Sequence, residues 1–161
     1  MNDTVAATLK KLVETGELRF AALLAAKLLP EPKRSEELTG ILARYVEEGH
    51  LNGARETAKL LGRDLTSEEL TGILAKCVEE GHLNGARETA RLLPEPRRSE
   101  ELIGILAKCV ERGRLDDARE TAELLPEPKR SEELTNILAK CVEEGHLNGA
   151  RETAKFLGVV V

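Results

Sequence analysis

The chain has almost no aromatic side chains: one tyrosine, two phenylalanines and no tryptophan in 161 residues. Ala and Leu must therefore fill the interior, which favours closely packed helices over a sandwich or barrel. Long apolar runs are also missing. The best candidate, residues 20–29, is interrupted by Lys27 and falls short of the roughly 18–20 residues of a membrane span. Met1-Asn2-Asp3 does not open the basic-then-apolar pattern of a secretory signal, so a cytosolic or recombinant setting is expected. There is no basic excess either. The 24 Lys and Arg against 29 Asp and Glu leave a net charge of −5, which argues against a nucleic-acid footprint.

Cysteine is scarce and regularly placed. Cys77, Cys109 and Cys141 are 32 residues apart, and Tyr45 holds the same place one interval earlier. Equivalent positions in stacked hairpins lie about 8–10 Å apart, beyond the Cα reach of about 7 Å for a disulfide. The three thiols are therefore expected to be small buried apolar groups.

What is abundant is repetition. The thirteen residues VEEGHLNGARETA occur unchanged from Val46, Val78 and Val142, with an edited copy from Val110, all on a period of 32. A period of this size is the signature of a solenoid. Between residues 37–68 and 69–100, 24 of 32 positions are identical, as expected of one hairpin concatenated by design or by recent duplication.

The unit reads as two short helices. In the copy from Ser67 to Pro94, Ser67 or Thr66 is a plausible N-cap, with Glu68 and Glu69 in the first turn. Leu70, Ile73, Leu74, Cys77 and Val78 form one apolar face. Gly81 is placed to end the helix in a left-handed conformation. Asn84 is then expected to cap a second helix carrying Ala86, Ala90 and Leu93, with Pro94 and Pro96 stopping it. Equivalent caps are expected at Ser35, Ser99 and Ser131, and equivalent hinges at Gly16, Gly49, Gly113 and Gly145.

These features predict one all-α domain over 1–161, a right-handed α-solenoid of five hairpins and about ten helices. A divergent hairpin at 1–34 is followed by near-identical repeats at 35–66, 67–98, 99–130 and 131–161. The apolar ending Val159-Val160-Val161 points to an open C-terminal face and end-to-end self-association.

The run from Ile105 to Leu125, ILAKCVERGRLDDARETAELL, resembles the tetratricopeptide and pentatricopeptide superfamily of helical hairpins. Ile105, Leu106, Cys109, Gly113, Leu115 and Ala118 carry the resemblance: an apolar pair, a small residue, then Gly-x-Leu-x-x-Ala across the turn. The period departs from the family's usual 34 or 35, and the tetratricopeptide Trp and Tyr are absent. A tetratricopeptide likeness implies a concave groove for a peptide or protein. A pentatricopeptide likeness implies single-stranded RNA read one base per repeat. Aligned on the hinge, the first contact position falls at Gly40, Gly72, Gly104 and Asn136. Glycine has no side chain with which to read a base, so RNA binding is the alternative and a protein or peptide surface is preferred.

Enzymatic chemistry finds little to work with. His50, His82 and His146 form a ladder beside the hinges, with Arg114 filling the third place, and copies about 10 Å apart cannot converge on one metal ion. Cys77 and His82 straddle a hinge glycine and are expected on different faces. The glutamate pairs 47–48, 79–80 and 143–144 read as solvated charge, paired with basic residues of neighbouring helices such as Arg87 or Arg91. The expectation is a non-enzymatic scaffold with no cofactor or metal. Its individuality is concentrated at Arg112, Arg114, Asp116 and Asp117.

Overall fold

The computed structural model describes residues 2–159. Among them it has ten helices and no strand: α1 (Asn2–Glu14), α2 (Leu18–Leu28), α3 (Lys33–Glu48), α4 (Leu51–Leu60), α5 (Ser67–Glu80), α6 (Leu83–Arg91), α7 (Arg97–Glu111), α8 (Leu115–Glu123), α9 (Lys129–Glu143) and α10 (Leu147–Phe156). Val160 and Val161, part of the apolar ending, lie outside the described residues.

The chain forms two compact units, Met1–Lys76 and Cys77–Val161, and the boundary falls inside α5. In the first unit α1 packs on α2, α2 on α3 and α3 on α4. In the second the order runs from α6 to α10 in the same way. Second helices also touch each other, α2 with α4 and α8 with α10. Hairpin packing on hairpin in chain order is the architecture of an α-solenoid. Among the described residues no helix is long and apolar enough to cross a membrane.

Each first helix ends as its glycine requires. Gly16, Gly49, Gly81, Gly113 and Gly145 all have φ between 71° and 84°. The next residue closes a Schellman turn: the His82 N–H donates to the Cys77 carbonyl at 2.8 Å, as do Arg114 to Cys109 and His146 to Cys141. A side chain at these glycines would meet the left-handed region that non-glycine residues avoid.

The closing residue is also the N-cap of the second helix. The His82 carbonyl accepts the Ala86 N–H at 3.0 Å, so Asn84 already stands inside α6. Sequence reading placed the cap at Asn84. The turn is too short for that, and the Asn84 carboxamide oxygen instead accepts from the Arg87 guanidinium.

The linkers bring a second correction. Ser35, Ser99 and Ser131 are not caps, because their helices begin two residues earlier behind Pro32, Pro96 and Pro128. Those prolines' carbonyls accept from Glu36, Glu100 and Glu132 at 3.2 Å. Proline, with its fixed φ, suits a helix start. Ser99 and Ser131, now in the first turn, donate to Glu95 and Glu127 at 2.6 Å. The linker without proline behaves differently. Thr66 Oγ1 accepts the Glu69 N–H at 3.1 Å while the Glu69 carboxylate accepts the Thr66 N–H at 2.8 Å, a capping box.

The core is aliphatic and repetitive. Leu70, Ile73, Leu74 and Cys77 are buried, as are Ala86, Ala90 and Leu93 in the following helix. The alanines let paired helices approach closely, which makes up for the missing large side chains. Val46, Val78 and Val110 are half-buried rather than core, and Val142 is exposed.

Candidate functional site

The first-helix face of the second unit carries an apolar cleft. It has a volume of about 480 Å³ and lies between α7 and α9. Ile103, Leu106, Ala107 and Val110 line it from α7, and Asn136, Ile137 and Lys140 from α9, with Glu111 and Glu133 at its edges. Ile103, Leu106, Ala107 and Val110 follow i, i+3, i+4, i+7 spacing, as do Glu133, Asn136, Ile137 and Lys140, so each helix contributes one stripe.

Two lining residues depart from the repeat. Ile103 stands where the other copies have Thr39, Thr71 and Thr135, and Asn136 where they have Gly40, Gly72 and Gly104. Thr71 and Thr135 turn their hydroxyls back to the Ser67 and Ser131 carbonyls at 2.8 and 2.7 Å. Ile103 has no hydroxyl and extends the apolar stripe of Leu106, Ala107 and Val110.

The rim charges are partly balanced. Glu111 lies 3.6 Å from Lys108, Glu133 lies 3.3 Å from Lys129, and Lys140 lies 3.2 Å from Glu144. The hydrogen bond to Glu133 holds the Lys129 ammonium above the usual lysine value.

The four positions anticipated as partner contacts occupy different settings. Asn136 is exposed and lines the cleft. Gly40 and Gly104 are exposed, with nothing within 4 Å of where a Cβ would stand. Gly72 is half-buried, and a Cβ there would stand 3.0 Å from Val46 Cγ1, which makes it a packing position.

A second, polar cleft of about 760 Å³ opens at the hinges of the last two hairpins. Arg114, Asp116, Asp117, Arg119, Cys141 and His146 are among its lining. Its charges are largely committed to one another. Arg114 Nε lies 2.7 Å from Asp117, and Asp116 pairs with Arg119. Most of the distinctive residues of the edited copy are thus spent on internal pairing.

Sequence reading missed the buried arginines. Arg87 and Arg119 are each 7% exposed. Arg87 donates to the Asp117 carbonyl and carboxylate at 3.3 Å, to Thr121 Oγ1 at 3.5 Å and to Glu120 at 2.9 Å. Arg119 donates to the Gly149 carbonyl at 3.1 Å and to Thr153 Oγ1 at 3.4 Å. Burying a guanidinium requires this saturation of its donors. The repeated Ala-Arg-Glu-Thr places an arginine beside each buried alanine, but Arg55 and Arg151 are exposed, so the repeat alone did not mark which arginines are buried.

The glutamates before the hinges are solvated, but their partners are closer in sequence than expected. Glu48 lies 2.9 Å from Arg44 and 3.6 Å from His50, and Glu144 lies 3.2 Å from Lys140 and 3.4 Å from His146. Arg87 instead reaches Asp117 and Glu120. A partner one helical turn away is always within reach, whereas the neighbouring helix's arginine is buried elsewhere. His50, His82 and His146 are exposed. Cys77, Cys109 and Cys141 are buried thiols, and burial pushes the first two above the usual thiol pKa. Among the described residues no three His, Cys, Asp or Glu side chains gather as metal ligands would.

No protein-family model matches this chain, and neither a curated protein nor a solved structure matches it significantly.

Proposed function

We propose that this protein is a non-enzymatic helical-repeat scaffold, amplified from one hairpin by design or duplication, whose binding surface is the first-helix face of its second unit. The partner is a short peptide segment presenting an aliphatic side chain to the cleft and a basic side chain to Glu111 or Glu133. The observation carrying this reading is the convergence of Ile103 and Asn136 on one apolar cleft. In a chain of near-copies, a surface acquires specificity only where the copies differ. Buried, high-pKa thiols and exposed hinge histidines support the non-enzymatic part of the reading.

The test is fluorescence anisotropy with labelled peptides that combine Leu or Ile with Lys or Arg, and with single-stranded RNA as a separate arm. Ile103→Thr with Asn136→Gly restores the repeat sequence without touching the buried core. Losing the Ile103 side chain costs about 1.5 kcal/mol, or roughly tenfold in affinity. Binding that the double variant leaves unchanged, or saturable RNA binding with no peptide binding, would sink the reading.

A further inference from the structure

The first and last hairpins each carry exposed apolar surface, and the contacts within the second unit show what such surface is built to meet. Within the second unit, Leu83 and Leu115 open successive second helices and are 1% and 8% exposed, whereas their counterpart Leu147 is 62% exposed. Val142 is 59% exposed where Val110 is half-buried. Arg87 and Arg119 are buried against the next hairpin's second helix, and Arg151, in the same place on α10, is exposed. The side chains are the same in these three copies; Arg55, their counterpart in the first unit, is exposed, so the comparison holds within the second unit. The difference is that hairpins three and four have a following hairpin laid over them.

The receiving surface can be read from the same contacts. Arg87 reaches Asp117 and Glu120, which lie four and seven residues after the hinge Gly113. Four and seven residues after Gly16, the first hairpin has Phe20 and Leu23, which are 53% and 51% exposed. Leu24, half-buried, holds the place of the buried Thr121. The first hairpin therefore presents apolar groups where internal hairpins present acceptors for an arginine. An array protected by a polar terminal repeat would do the opposite.

We infer that the protein associates head to tail, the face formed by Leu147 of α10 and Val142 of α9 seating on the face of α2 around Phe20 and Leu23 in a second copy. Apolar surface meets apolar surface, and Arg151 lays its guanidinium on the Phe20 ring with its N–H groups left to water, since Phe20 and Leu23 offer no acceptor. The contact is heterologous, so each molecule keeps one free face and growth continues unless the assembly closes into a ring.

The experiment is sedimentation velocity on the full chain over a wide concentration range, with Phe20→Glu and Leu147→Glu alone and mixed. Both side chains are exposed, and circular dichroism confirms that the variants are folded. The wild type should rise above 17.6 kDa with concentration. Each variant alone should remain at that mass. An equimolar mixture should give a dimer and nothing larger, because one intact α10 face then meets one intact α2 face. A wild type that stays monomeric, single variants that associate as the wild type does, or a mixture that stays monomeric would each overturn the proposal.

Discussion

Replacing Gly53 and Gly85 by alanine makes the same substitution at the same repeat position with opposite expected results. Both residues stand third in their helices, α4 and α6, so the gain in helix propensity, about 0.5–1 kcal/mol, is common to both and cancels in the comparison. The remaining difference is steric. A Cβ on Gly85 would lie 3.3 Å from Cys77 Sγ, which a shift of a few tenths of an ångström relieves. A Cβ on Gly53 would lie within 2.6 Å of three carbons of the Tyr45 ring, where about 3.5–4.0 Å is normal. The ring must leave its half-buried place against the core of α1, α2 and α3. Overpacking of this kind costs about 1–3 kcal/mol. Gly85→Ala should therefore leave stability unchanged or slightly raised, and Gly53→Ala should fall below it by about 1–3 kcal/mol. With urea slopes of about 1–3 kcal/mol/M, the midpoints should separate by roughly 1 M. Far-ultraviolet circular dichroism follows both variants, and fluorescence of the single tyrosine follows the first unit. Adding Tyr45→Cys to Gly53→Ala recreates the pairing of Cys77 with the alanine of Gly85→Ala and should recover the loss. Equal midpoints for the two alanine variants, or no recovery in the double variant, would refute the reasoning.

Two further outcomes follow from titratable groups. The Arg63 hydrogen bond, with further bonds from Thr66, holds the Glu69 carboxyl below the usual carboxylate range, so its contribution is complete above that range and is lost as pH falls through the depressed folded value. Glu69→Gln should thus cost about 1 kcal/mol at neutral pH, the scale of one helix cap. The gap to wild type should close as urea midpoints are repeated toward pH 2, and a gap constant with pH would contradict it. Burial raises the Cys77 and Cys109 thiols, so at pH 8 they hold less thiolate than ordinary cysteine. Their reaction with a disulfide reagent should be slow when folded and rapid in denaturant, and stoichiometric labelling of the native protein at free-thiol rates would show the burial to be wrong.

The element count, the hinges and the apolar face of each helix were legible in the repeat. Those features depend on spacing within one helix and on glycine's access to positive φ, both local properties repeated five times. Sequence reading misplaced the caps at Asn84 and at Ser35, Ser99 and Ser131. There two local signals compete, and the hydrogen-bond pattern of the turn decides between them. Tertiary structure alone decided the fate of identical side chains. Arg87, Arg119 and Arg151 share one sequence environment, yet the first two are buried and saturated and the third is exposed. Leu115 and Leu147 differ in the same way. Likewise, only packing brought Ile103 and Asn136, 33 positions apart, into one cleft. A repeated sequence specifies the same preferences in every copy, and the neighbour laid against each copy determines which of them are fulfilled.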